Sequence, residues 1–101
     1  MTDLEICKSI AEIEGLDYTV NNWNDVFIEK WGLRKFYNPL TDKALIFSLM
    51  EKWLEEFDID VSVAYKELRC TYAVYTGFSV VFNDSLAKAL CLARIEIYIK
   101  E

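Results

Sequence analysis

The feature that most constrains this chain is a change of hydrophobic period at Asp58. Before it, Ile46, Leu49, Met50, Trp53 and Phe57 recur at i, i+3, i+4, i+7 and i+11, the spacing of one buried stripe on an α-helix. Lys43, Glu51, Lys52, Glu55 and Glu56 fall outside that stripe. After it, Val61, Val63 and Tyr65 alternate with Asp60, Ser62 and Ala64, as they would along a half-buried strand. RCTYAVY and FSVVF continue the β-branched and aromatic bias, and Thr76-Gly77 between them suits a hairpin turn. These patterns predict a helix over 41–57, opened by Asn38-Pro39 or Thr41-Asp42, and three antiparallel strands over 60–66, 69–75 and 78–82.

A helix is expected on either side of this unit. Thr2 and Glu5 form a capping box, Ile6, Ile10 and Ile13 repeat at helical spacing beside Cys7, and Gly15 stands where a left-handed cap ends the helix, which predicts a helix over 3–14. Its outer face would carry Glu5, Lys8, Glu12 and Glu14. At the other end, Asn83, Asp84 or Ser85 caps a helix whose inner face is Leu86, Ala89, Leu90, Ala93 and Ile97, widened by Cys91, Leu92, Ile95 and Tyr98. The stretch 16–40, rich in Asn with breakers at Gly32 and Pro39, reads as a connector with one helical turn around 25–30. The expectation is a single α+β domain over 1–101, with a three-stranded antiparallel sheet packed by two to three helices in the order α-loop-α-β-β-β-α. Ile46, Leu49, Trp53, Val63, Tyr72, Val80, Leu90 and Ala93 are its expected core.

Charge is unevenly placed. Residues 1–29 hold seven acids against one base, Lys8, and so account for the whole net charge of −6. An acidic surface of this kind favours a partner with a basic surface over direct contact with nucleic acid, whose phosphates need clustered Lys and Arg in excess. No apolar run approaches the ~20 residues of a membrane span, and MTDLEICKSI lacks the build of a signal peptide, so neither a membrane nor export is expected.

Residue types also bear on chemistry. Histidine is absent, which removes the side chain whose ordinary pKa lies nearest neutrality, the commonest metal ligand, and the Ser-His and Cys-His nucleophile pairs. Gly15, Gly32 and Gly77 are isolated and make no phosphate-cradling loop. Cys7, Cys70 and Cys91 sit in apolar strings without a CxxC pair and read as buried, reduced thiols. The acids Glu51, Glu55, Glu56, Asp58 and Asp60 read as solvated surface before they read as a contact for a basic partner or a site for a hard cation. No catalytic residue, metal or cofactor is therefore expected.

Binding is the remaining function class, and two surfaces offer themselves. One is the acidic first third, with Glu12, Asp17 and Glu29. The other is the connector, whose Trp23, Trp31 and Tyr37 are interleaved with Lys30, Arg34 and Lys35, a composition shared by interaction hot spots and nucleotide pockets. Its rings either lid the core, contact a partner or hold an anionic small ligand. A homodimer stays open as well.

The segments NPLTDKALIFSLMEKW at 38–53, GFSVVF at 77–82 and NDSLAKALCLARIEIYI at 83–99 resemble the phage ABA sandwich domain family, over about two thirds of the chain. Members show a Pro and Ser or Thr-Asp start to the central helix, a sheet rich in Trp or Tyr, and an Ala-rich closing helix. This chain departs in its longer, Asn-rich connector and in lacking Trp on its strands. The resemblance implies a phage or prophage origin and action in the cytoplasm of a bacterial host, and it carries over no catalytic residue. The expected function is that of a non-enzymatic phage accessory protein that binds and inhibits a host component, as an anti-defence (anti-CRISPR-like) inhibitor does. The alternative is a counter-defence module that sequesters a nucleotide signal.

Overall fold

A computed structural model of the protein describes residues 1–66 and 69–101, with side-chain surroundings for all of these except 64–66, 69 and 70. The first helix, α1, spans Asp3–Ile13. The Thr2 hydroxyl accepts from the Glu5 amide at 3.2 Å while the Glu5 carboxylate accepts from the Thr2 amide at 3.1 Å. The Thr2 amide, together with the Thr2 hydroxyl, which donates to the same carboxylate at 2.9 Å, holds the Glu5 carboxyl below the usual carboxylate range. Gly15, at φ 71°, takes the left-handed conformation that ends the helix.

The stretch expected to be a connector is instead a sheet. Strands β1 (Tyr18–Val20), β2 (Val26–Lys30) and β3 (Leu33–Phe36) pair antiparallel in the order β1-β2-β3, so the helical turn expected at 25–30 is a strand. Two turns make this possible. Between β1 and β2, the Asn21 side-chain oxygen accepts from the amides of Trp23 and Asp25, both at 2.9 Å, and Asn24 adopts φ 61°. Between β2 and β3, Trp31 and Gly32 adopt φ 55° and 78°, the double left-handed geometry that matches the twist of a two-residue hairpin. The ladder then runs on through the Tyr37 amide, which donates to the Val26 carbonyl at 2.8 Å.

Helix α2 spans Lys43–Glu56 and is capped by Asp42, which accepts from the Leu45 amide. A second meander follows: β4 (Asp60–Lys66), β5 (Arg69–Tyr75) and β6 (Val80–Asn83), in the order β4-β5-β6. Helix α3 (Leu86–Lys100) is capped by Ser85. The architecture is α+β, but with two three-stranded sheets where one was expected, in the order αβββαβββα.

Contacts between elements order the layers. Helix α1 touches β1 and β2 on one side and α3 on the other, while α3 touches β5, β6 and α2. Helices α1 and α3 thus lie between the two sheets, with α2 against α3. A helix so placed must be apolar nearly all round, and α3 is, with Ala89, Leu90, Cys91, Ala93, Ile95 and Ile97 all buried. Its buried cation, Arg94, lays its guanidinium over the Phe57 ring at 4.3 Å. Ala11, Ala89 and Ala93 are fully enclosed, and Ile6, Ile10 and Trp53 fill the space around them. Each large aliphatic side chain so buried contributes about 1.5–3 kcal/mol.

Of the expected core, Ile46, Leu49, Trp53, Leu90 and Ala93 are buried and Tyr72 packs against them half-buried. Val63 and Val80 are corrections, at 49% and 39% exposed. Val80 pairs with Tyr75 and so shares the sheet face opposite the one that buries Val74. Val63 lies on the edge strand β4, beyond the cover that α3 gives to β5 and β6. Glu14 also differs from expectation: its side chain is only 10% exposed and pairs with Lys52 of α2 at 3.0 Å. Cys7 and Cys91 are buried and free. The expectation for Cys70 lies outside the side chains described.

Candidate functional site

Register decides what the first sheet presents. Thr19 pairs with Phe27 and Phe27 with Phe36, while Glu29 pairs with Arg34. Directly paired residues project from the same face, so Thr19, Phe27, Glu29, Arg34 and Phe36 share one face of the sheet. Val26 and Ile28, on the other face, pack into the core. The shared face is therefore the outer one.

Its side chains are organised among themselves. The Phe27 and Phe36 rings lie 4.6 Å apart between centroids, tilted by 34°. The Arg34 guanidinium stands 4.6 Å above the Phe27 ring, and its Nη2 donates to the Thr19 hydroxyl at 3.2 Å. At the adjoining turn, the Lys30 Nζ stands 5.2 Å from the Trp31 ring. Two shallow depressions meet at this end of the sheet and share Asp17 and Tyr18; Glu12 lines one, Phe27 and Glu29 the other. The Tyr18 hydroxyl donates to the Glu12 carboxylate at 2.6 Å, which raises the Tyr18 pKa. That bond ties the end of α1 to the start of β1.

The sequence-predicted residues divide accordingly. Glu12, Asp17, Glu29, Trp31 and Arg34 are exposed and come together, because β1 begins where β2 ends and the Trp31-Gly32 turn closes the same end. Trp23 is 81% exposed but lies at the opposite end of β2, about 13 Å away at ~3.3 Å per residue. Tyr37 is a correction: at 3% exposure it is a core residue, and burial drives its pKa up. The reading of the tryptophans as core lids is also overturned, since Trp31 is 92% exposed.

Sequence reasoning missed Tyr18, Thr19, Phe27 and Phe36. The one signal for them is the β-branched and aromatic content of YTV and VFI, since FIEK and LRKF do not alternate apolar with polar residues. It was masked because a left-handed turn position is ordinarily occupied by Asn, Asp or Gly rather than Trp.

Among the described residues, no group of three or more Cys, Asp or Glu side chains is placed to hold a metal ion. The thiols of Cys7 and Cys91 are raised by burial, that of Cys91 to about 12, which suits packing rather than nucleophilic chemistry. None of the described helices is long and apolar enough to cross a membrane. No family model, curated protein or solved structure matches the chain.

Proposed function

We propose that this chain is a non-enzymatic binding protein that docks a protein partner with a basic surface at the end of its first sheet formed by Glu12, Asp17, Glu29, Trp31 and Arg34. The observation that carries this reading is Trp31 itself. An aromatic side chain held in the left-handed region costs about 1–3 kcal/mol, and such strain collects where function needs it. Here it presents a ring 92% exposed at the end of the sheet where β2 finishes, the end at which Asp17 and Glu29 line one depression and Glu12 and Asp17 another. Tryptophan is a frequent anchor of interfaces, and the acids at that end steer a basic partner during encounter.

The likeness of 38–53, 77–82 and 83–99 to phage ABA sandwich domains makes the partner a host component and the outcome its inhibition, an anti-defence role. A second reading, sequestration of an anionic nucleotide, draws on the cation-aromatic pairs Arg34–Phe27 and Lys30–Trp31. It would have to work without Trp23 and Tyr37, which lie elsewhere.

The test is capture from bacterial host lysate with wild-type protein and with Glu12, Asp17 and Glu29 reversed together to Lys. The reversal should lower the association rate for the captured protein about tenfold or more, with the difference shrinking as salt rises. Trp31→Ala should speed dissociation, and Trp23→Ala should leave both rates unchanged. Binding that survives both the reversal and Trp31→Ala would sink the proposal. Loss of a bound small molecule on joint substitution of Trp31 and Arg34 would favour the second reading.

A further inference from the structure

On the side of the molecule formed by α2 and α3, a cavity of about 400 Å³ opens between the beginnings of the two helices. That volume lies within the ~300–1,000 Å³ range of small-molecule sites. Its walls are apolar, built by Leu40, Ile46, Met50, Leu86 and Leu90, with the half-exposed Phe47 at the rim. Polar groups are confined to Thr41, Lys43 and Ser85. None of these residues belongs to the binding surface at the first sheet.

The polar groups share one electrostatic character. Lys43 is the first residue of α2, is exposed, and has no ion-pair partner among the described residues. Ser85 is the cap of α3, followed by Leu86 and Ala87, whose amides belong to the first turn and lack intrahelical acceptors. An ammonium and the positive ends of two helices thus border one apolar cavity. The acids Asp42 and Asp84 adjoin these helix starts in sequence, but neither lines the cavity.

We propose that this cavity binds an amphipathic anion, a carboxylic acid with an unbranched apolar tail, with the tail between Ile46, Met50 and Leu90 and the carboxylate at Lys43. The apolar walls match the tail, and the unpaired ammonium selects an anionic head over a neutral or cationic one. A charge-assisted contact of this kind is about twice as strong as a neutral hydrogen bond, so the head group should contribute measurably to affinity.

Calorimetric titration of the full chain with decanoate and with decan-1-ol tests the assignment. Decanoate should bind one to one and more tightly than the alcohol. Lys43→Glu, an exposed change, should weaken decanoate about tenfold, equivalent to ~1.4 kcal/mol, and leave the alcohol unchanged. Ala87→Phe, which places a ring in the cavity, should abolish binding of both, with circular dichroism showing that the fold persists. The proposal is overturned if decanoate does not bind, if Lys43→Glu leaves its affinity unaltered, or if Phe47→Ser converts a dimer to a monomer in sedimentation, which would show a second copy covering the cavity.

Discussion

The two sheets have the same topology and are built by different means. The second meander has long strands, seven residues each in β4 and β5, and leans on α3 through Val74 and Val81. Its outer face is largely apolar, with Tyr75, Val80 and Phe82 all exposed. The first meander has strands of three, five and four residues and covers α1 with little more than Val26, Ile28 and Tyr18. What holds it in register is turn chemistry at Asn21, Asn24 and Trp31-Gly32 and a network of charged and aromatic side chains outside. One sheet is specified by what it buries, the other by where it bends. A sheet of the second kind has surface side chains free for recognition.

The largest expected effect asks whether the two sheets are one cooperative unit. Trp53, 1% exposed, sits in the single core cluster that both sheets share. Trp53→Ala should cost about 3–5 kcal/mol, and hydrogen exchange should show protection falling in both meanders alike. A loss confined to the second meander would break the comparison by showing that the first stands on its own.

A smaller effect should appear with pH. Cys7 and Cys91 are buried, with pKa values raised by desolvation, that of Cys91 from 9.0 to about 12. A thiol that stays protonated in the fold but ionises in the unfolded chain stabilises fully below pH 9, and that stabilisation is lost as pH rises towards 12. Denaturant midpoints should therefore fall over that interval. Cys91→Ala should flatten the decline, and an unchanged slope would place the alkaline sensitivity elsewhere.

The smallest effect is the sharpest for the first meander. Trp31→Asn relieves the left-handed strain and should stabilise the protein by roughly 1 kcal/mol while weakening partner binding. Chemical denaturation read beside binding kinetics checks both halves. Stabilisation without loss of binding would mean that the ring is not part of the interface.

The same contrast explains what was legible in the sequence. Helices α1, α2 and α3, the Thr2 cap and the strands of the second meander follow from period and capping rules, because burial imposes those patterns on the residues themselves, whereas only the structure selects Asp42 and Ser85 among the candidate caps of α2 and α3. The first meander imposes no such pattern. β3 buries none of its four residues, and its turn relies on a tryptophan where a small polar residue is the usual sign. Charge and composition point to Glu12, Asp17, Glu29, Trp31 and Arg34, but their convergence depends on a hairpin that no periodic pattern in the sequence announces. Val63 and Val80 were misplaced for a related reason: alternation tells which residues share a face, and only the position of α3 tells which face is covered.

The contact between α1 and α3 bears on how the protein is made. Residues 3–13 pack against residues 86–100, so everything between them must be synthesised before this helix pair can form. Until α3 emerges, the part of the α1 surface that α3 covers faces water, as do Val74 and Val81 of the second sheet. A nascent chain in that state carries two sticky faces, and closing them requires a loop of some seventy residues, which is slow compared with local helix or hairpin formation. Premature release from the ribosome, or a stalled one, would leave an intermediate prone to aggregation and a ready client for chaperones.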